Sequence, residues 1–390
     1  MKVLVVAEFY PRNDDPVLGV WAHRQAQAAI DAGAEVRVAV LHRIVPPKAT
    51  PVLKRLPAAA RLARHPATLE LDGVTVDYVR YASPPKESSY GSWGSWAAKP
   101  LAKALSRIGE EFPFEILHAH NAVPAADALL TAGISRPLVI SEHGADIFHT
   151  AERHRDGREA IRRAFSTARL VLANSAGIAN SCEDLGAQRV RVLHLGTDLP
   201  GKAEARVEQP TIVTLAHLAG RKRHADVIRA LWVLRDQRPD LRYLVIGDGP
   251  ERERLEALAA ELGLSDRVDF AGQLPHDEAV ERMRRCSLFV MPSVDEAFGV
   301  AYVEAMAGWL PAIGTAGEPG PMEIARSGEG IRLVPPGDVP RLAEQIAALT
   351  GDPAVLATLG ADARRTVEES FSWERCGEAT VAAYREVRRP

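Results

Sequence analysis

The sequence predicts an α/β protein of two doubly wound domains facing each other across a cleft. Three observations predict it. Short runs of β-branched and aliphatic residues alternate with longer Ala/Arg/Glu stretches of helical period, the pattern of βαβ units around a parallel sheet. The alternation runs through each half of the 390 residues. A polar stretch, Gly196–Pro210 (GTDLPGKAEARVEQP), divides the halves, and its Gly, Pro and alternating charge without an apolar period read as a linker.

In the first half, strands are expected at Lys2–Ala7, Glu35–Leu41, Val74–Tyr78, Ile116–His118, Leu138–Ser141, Leu170–Ala173 and Arg191–His194. Helical stretches such as Trp21–Ala32 and Arg158–Thr167 lie between them. In the second half, Thr211–Leu215, Arg242–Ile246, Val268–Ala271, Leu288–Met291 and Pro311–Ile313 read as strands. Ala225–Arg238, Glu251–Leu262, Asp277–Arg285 and Val300–Ala307 read as their helices, and Gly360–Arg389 is strongly helical. Ligands of such sheets bind at the carboxyl ends of strands. Two sheets on one hinge therefore place the expected site in the cleft.

Composition narrows the class. Hydrophobic residues make up 46% and charged residues 25%, ordinary for a globular chain. A net charge of −3 lacks the basic excess of a nucleic-acid binder, so no nucleic-acid partner is expected. The start, MKVLVVAEFYP, is broken by Glu8 and has no small-residue cleavage site, so it reads as a buried strand and not as a signal peptide. No apolar stretch approaches the roughly 20 residues of a membrane span. Cys182, Cys286 and Cys376 are scattered, with neither metal-ligand nor disulfide spacing. A reducing cytoplasm is the expected location.

The segment richest in chemistry is Met291–Gly314, MPSVDEAFGVAYVEAMAGWLPAIG. A strand ends at Met291, a turn follows, and the Gly299 region opens a helix. Free amides at Phe298, Gly299 and Val300, with the helix dipole, suit phosphate or sugar oxygens. Glu304, one turn inside, can reach ribose hydroxyls. The alternative makes Glu296 a carboxylate stabilised by the dipole and Glu304 a solvated side chain.

E-A-F-G-V-A-Y-V-E-A-M-A-G closely resembles the E-x(7)-E element of glycosyltransferase family 4. Other segments resemble that family in order: Gly19, Trp21 and Gln25 its first loop and helix, Asn174-Ser175 and Leu195–Asp198 the end of its first domain. Leu244–Pro250 (LVIGDGP, with Gly247), Val268–Gly272, Gly317–Gly320 with Met322–Ile324, and Gly337-Asp338 follow in the second half. The resemblance covers nearly the whole chain. It implies the two-domain, Rossmann-like GT-B fold, with an acceptor-binding domain at 1–200 and a nucleotide-sugar-binding domain at 201–370. It also implies that residues 371–390 form a helix packing back on the first domain. The implied activity is retaining hexosyl transfer from a UDP- or GDP-linked sugar to a glycan, lipid-linked or small-molecule acceptor.

The resemblance also assigns residues. His143, in Ile140–Asp146 (ISEHGAD), matches the histidine beside the transferred sugar. Lys222, in LAHLAGRKRH, matches the lysine that neutralises the donor diphosphate. The family's usual Arg is replaced by His217, and a neutral imidazole gives one hydrogen bond where guanidinium gives a charged fork; Arg221 or Arg223 could substitute. The implied catalytic set is His143, Glu296 and Lys222. The donor set is Gly19, His217, Arg221, Lys222, Gly247, Phe298, Gly299, Val300 and Glu304. Lys222, the free amides and the Gly317–Gly320 turn can stabilise the leaving diphosphate without a metal, so no metal or other cofactor is expected. His118 and His120 (LHAHNA) end the preceding strand, one of them on the acceptor side or both in plain packing. Such an H-x-H pair lacks a third ligand in sequence.

Rival readings are a GT-B phosphorylase or nucleotide-sugar epimerase, and a degenerate, non-catalytic GT-B protein, which His217 favours. The first turn (AEFYPRNDDP) lacks G-x-G-x-x-G, against nicotinamide binding. Pro46–Pro66 carries Lys48, Lys54, Arg55, Arg61 and Arg64 among apolar residues. It reads as a peripheral contact with an anionic membrane or as a solvated helix or lid. Ser88–Ala97 (SSYGSWGSWA) reads as a mobile, aromatic acceptor loop.

Overall fold

The computed structural model describes residues 1–13, 15–46, 50–85, 89–203 and 208–388. The chain forms two compact units, Met1–Leu195 with Trp373–Pro390, and Gly196–Ser372.

The first unit contains β1 (Lys2–Ala7), β2 (Glu35–Arg43), β3 (Thr68–Leu71), β4 (Val74–Tyr81), β5 (Ile116–His120), β6 (Leu138–Glu142), β7 (Leu170–Ala173) and β8 (Val190–Val192). They form one sheet in the order β3-β4-β2-β1-β5-β6-β7-β8. All neighbours are parallel except β3, which pairs antiparallel with β4. Val3, Leu4, Val5, Val6 and Ala7 of β1 are all buried. An unbroken apolar run is what a central strand covered by helices on both faces requires. The second unit contains β9 (Thr211–Leu215), β10 (Arg242–Ile246), β11 (Val268–Gly272), β12 (Leu288–Val290), β13 (Ala312–Thr315) and β14 (Ile331–Val334). They form a parallel sheet in the order β11-β10-β9-β12-β13-β14.

Each order contains one reversal of winding. β1 sits between β2 and β5, and β9 sits between β10 and β12. At such a switch point the loops after the two central strands splay apart and leave a crevice at the carboxyl ends.

The structure departs from the sequence reading in particular places. The boundary expected at residue 200 lies at Leu195/Gly196. Thr197 N–H donates to Phe371 O at 2.8 Å, which ties this stretch to the second unit. The helix expected over Gly360–Arg389 is two helices, Pro353–Ser370 and Trp373–Arg388. Phe371 and Ser372 break it where the chain crosses between units, and the second helix belongs to the first unit. There Cys376, Val381, Tyr384 and Val387 share a core with Val3, Val139 and Leu170, and Gln25 Nε2 donates to Thr380 Oγ1 at 3.1 Å.

The acceptor-loop reading of Ser88–Ala97 is corrected over its described residues, Ser88 lying outside them. Trp93 opens the helix Trp93–Glu111, Tyr90 lies in the helical turn just before it, and both are buried. Trp93 Nε1–H donates to Tyr81 Oη at 2.6 Å. Tyr90 stacks on His154 and hydrogen-bonds His149 Nε2 at 2.9 Å. These rings hold the helix start in place and are unavailable for sugar stacking; only Trp96 is half-exposed.

Candidate functional site

In the second unit, Lys222 lies in the loop after β9 and Glu296 in the turn after β12, the two strands that flank the switch point. Lys222 Nζ meets Glu296 Oε2 at 2.6 Å, and Arg221 Nη1 lies 3.7 Å from the same oxygen. Val294 N–H donates to Arg221 O at 2.8 Å, which fixes one loop on the other. Burial lowers the Lys222 pKa, and Glu296 opposes that shift. Burial also penalises the Glu296 carboxylate, but Lys222 and Arg221 outweigh it and hold its pKa below the ordinary value. The result is an ion pair with little water around it, where charge interactions are strong.

The turn is braced from the far side by Glu318, a residue the sequence reading missed. Its Oε2 accepts Glu296 N–H at 2.9 Å, and Gly320 N–H donates to Glu296 O at 2.8 Å. The nearest signal was its position beside the glycine turn, but nothing in the spacing shows that a side chain reaches back 22 residues. Gly299 caps the helix Val300–Ala307 in the left-handed region, φ 83°. Among the described residues, the amides of Gly299 and Val300 have no backbone acceptor. They are two of the orphan donors that every helix start leaves. Phe298 is buried, its ring edge-on to Phe371.

Glu304 is not solvated. Its side chain is 14% exposed, with Oε1 3.4 Å from His276 Nε2. Burial, with Asp198 nearby, pushes its pKa up to about 8. His276, a second missed residue, opens the helix His276–Arg284. His217 is exposed, its ring against Gly249. Gly247 has φ 134°, and a Cβ there would stand 2.0 Å from Ala216 O. No side chain fits, so the chain after β10 can pass directly over the loop that carries His217. Arg223 turns away from the Glu296 pair and binds Asp226 through Nε at 2.6 Å.

In the first unit, His143 follows β6 and His120 ends β5. Their rings stack 5.1 Å apart, 9° from parallel, with His120 Nδ1 2.9 Å from His143 Nε2. Burial lowers the His143 pKa to about 4 and that of His120 well below the ordinary value, so both rings are neutral at pH 7. His143 Nδ1 and His120 Nε2 are buried with no partner among the described residues, atoms that a ligand hydroxyl would satisfy. His118 is different. It is held between Tyr384 Oη at 2.7 Å and Ser141 Oγ at 2.8 Å, which makes it a packing residue. Gly19 precedes the first helix at φ 65°, and a Cβ there would lie 2.2 Å from the Phe9 carbonyl. The loop after β1 therefore folds tightly at the same strand end. Gln25, one turn on, faces the C-terminal helix.

The comparisons with known proteins agree with this architecture. The family model of glycosyl transferases group 1 matches residues 197–366, and that of glycosyltransferase family 4 matches 18–200. A 2-deoxystreptamine glucosyltransferase of Streptomyces kanamyceticus is 33% identical over 331 residues, covering 75% of this chain and 82% of the relative. D-inositol 3-phosphate glycosyltransferase 1 of Catenulispora acidiphila is 30% identical over 358 residues, 84% of each chain. A GDP-mannose-dependent phosphatidylinositol monomannoside mannosyltransferase of Mycobacterium tuberculosis is 28% identical over 81% of each. An exopolysaccharide phosphotransferase of Streptomyces coelicolor is 36% identical, but over only 19% of its own length. Among solved structures, a sucrose-phosphate synthase from Thermosynechococcus elongatus superimposes with TM-score 0.79 at 20% identity, covering 99% of both chains. HepE of Anabaena, in complex with UDP and glucose, gives 0.71 at 20% identity, covering 99% of this chain and all of HepE. With family models across both halves and a 33% identical relative spanning most of the chain, this protein has the GT-B fold and belongs to the group 1 glycosyl transferases, glycosyltransferase family 4.

Proposed function

We propose that the protein transfers a hexose from a UDP- or GDP-linked sugar, with retention of configuration and without a metal, and that Lys222 neutralises the leaving diphosphate. The observation that carries this reading is the Lys222–Glu296 pair beside the open amides of Gly299 and Val300. A fixed cation and a helix start aimed at one place stabilise charge as it develops on a departing phosphate. Glu296 would hold Lys222 until donor arrives and then turn to the transferred sugar, while Glu304 accepts ribose hydroxyls. His143, neutral, would hydrogen-bond the sugar without adding charge. The acceptors named for the relatives are 2-deoxystreptamine, inositol phosphate and a phosphatidylinositol mannoside. All are cyclitols, free or lipid-borne, and we assign the acceptor to that class.

The test of donor and metal together is a thermal shift in excess EDTA. UDP or GDP should raise the Tm, since a ligand of the native state stabilises by mass action, about 2.7 kcal/mol at a hundredfold excess over Kd. No shift with any nucleoside diphosphate at millimolar concentration would refute the donor site. A shift, or turnover, that requires magnesium or manganese would refute metal independence.

Membrane contact is a second part of the proposal. Among the described residues, no helix is long and apolar enough to cross a bilayer. The helix Val52–Ala63, however, has no buried residue, and Val52, Leu53 and Leu56 are 76%, 93% and 84% exposed. Lys54, Arg55 and Arg61 lie on the same helix, which has no acidic residue; Lys48 lies outside the described residues. Apolar side chains beside cations suit the interface of an anionic bilayer. Sedimentation with vesicles containing anionic lipid should exceed that with neutral vesicles, weaken with salt, and fall in Leu53→Glu/Leu56→Glu. Equal, salt-insensitive binding, or none, would leave a solvated lid.

A further inference from the structure

Two buried carboxyls, Glu142 and Asp146, stand on either side of His143 in sequence and have no part in the reading above. Glu142 is fully buried and Asp146 is 2% exposed. Glu142 Oε1 accepts Gly144 N–H at 2.7 Å. Asp146 Oδ2 accepts Ala122 N–H at 2.7 Å and Val123 N–H at 3.1 Å. Burial raises the pKa of both carboxyls, the charge of Asp146 raises that of Glu142 further, and Glu142 in turn lowers that of Asp146. Three backbone amides on two loops therefore converge on these two side chains. One loop follows β6 and carries His143. The other follows β5, directly after His120.

We propose that Glu142 and Asp146 share one proton and act as a positioning pair, locking the His120 and His143 loops so that the stacked imidazoles keep their buried, unpartnered nitrogens in place for the sugar. Two carboxylates in contact without water cannot both ionise, so one keeps a proton and donates it to the other. Asp146 accepts two amides and Glu142, and is the anion; Glu142 is the donor. Burial and the charge of Asp146 both favour the protonated form of Glu142. The pair thus carries one negative charge under rings that are themselves neutral. Glu142 Oε2 is buried with no N–H or O–H donor among the described residues, so a proton on it is the group that can join the two carboxyls.

The inference rests on the reading of His143 as a site residue, and the experiment separates the two. In full-length protein, Glu142→Gln keeps a donor toward Asp146, whereas Glu142→Ala removes it. Turnover is read as nucleoside diphosphate release from UDP-glucose and GDP-mannose. Ring positions are read from the histidine Cε1–H resonances, assigned with His120→Gln and His143→Gln. Glu142→Ala should shift or broaden the His120 and His143 resonances and lower kcat about 10- to 100-fold, the effect of a small misplacement. Its KM for the nucleotide sugar and its affinity for UDP or GDP should stay unchanged. Glu142→Gln should restore both resonances and rate. Unchanged resonances in Glu142→Ala, or Glu142→Gln as impaired as Glu142→Ala, would overturn the pairing. Shifted resonances with wild-type kcat, together with full activity in His143→Gln, would leave the pairing standing and remove His143 from the site.

Discussion

Lys222→Ala should weaken nucleoside diphosphate binding about 10- to 150-fold. A hydrogen bond to a charged group contributes roughly 1.5–3 kcal/mol, and 1.4 kcal/mol is a decade of affinity. The same substitution strands Glu296, which is 7% exposed, without its 2.6 Å counter-ion. Breaking one side of a buried pair typically costs about 3–5 kcal/mol, reduced here because Arg221, at 3.7 Å, can close in. The Tm should therefore fall along with affinity. Glu296→Ala should slow turnover and leave nucleotide affinity nearly intact, because Lys222 then faces the diphosphate without a competitor. Titration calorimetry with UDP and GDP measures each. His217→Arg calibrates the loop: restoring a guanidinium should tighten binding if that exposed side chain faces the diphosphate. Unchanged affinity there, with a large loss in Arg221→Ala, would move the second cation to Arg221. Arg223, already committed to Asp226, is the weaker candidate.

Glu304→Gln should stabilise the protein at pH 8 while impairing it as an enzyme. The Glu304 carboxyl is raised by burial, with Asp198 adding to the shift, from the usual carboxylate range to about 8. A folded-state pKa above the unfolded one means that the folded state binds more protons between about pH 4.5 and 8. Stability then falls as pH rises through that window. The groups facing the carboxyl are Asp198, which adds to the shift, and the His276 ring, whose Nε2 lies 3.4 Å from Oε1. Glu304→Gln removes the titration, so its Tm should fall less than wild type between pH 5 and 8. Nucleotide-sugar binding should move the opposite way in wild type. Ribose hydroxyls donate best to an ionised carboxylate, so affinity should climb as pH rises toward 8, and Glu304→Gln should bind weakly at every pH. A Tm difference from wild type that does not vary with pH would mean that Glu304 is ionised throughout. Nucleotide-sugar affinity that stays at the wild-type level in Glu304→Gln would take Glu304 out of the ribose site.

The strands were legible because parallel strands buried on both faces must be continuous apolar runs, and β1, β7, β9 and β10 have the bounds the sequence predicts. β3 and β14 were not read. Each has four residues at a sheet edge, and TLEL and IRLV mix charge into a run too short to show a period. The helix Trp93–Glu111 was hidden by Gly94 and Pro100, both of which disfavour helix locally. Its aromatics looked like sugar platforms because composition does not reveal that Tyr81, His149 and His154 wait for them. In the candidate site, Lys222, Glu296 and the Gly299 helix start are local features of two loops. Glu318, His276 and the Glu142–Asp146 pair act across sequence gaps or through protonation states, which only a folded arrangement discloses.

The return of Trp373–Arg388 to the first unit has a consequence for biosynthesis. The ribosome delivers β1 through β8 first, yet the core that holds Val3, Val139 and Leu170 lacks Val381, Tyr384 and Val387 until those residues emerge. His118 likewise waits for the hydroxyl of Tyr384, 266 positions downstream. At about 5–20 residues per second, the nascent first unit spends on the order of ten seconds with an apolar groove open to chaperones and to neighbouring chains. Meanwhile the second unit, contiguous from Gly196 to Ser372, can finish folding. The unit whose strands are made first is completed only after the second unit has been synthesised, and a chain that stops before Trp373 would leave that core open.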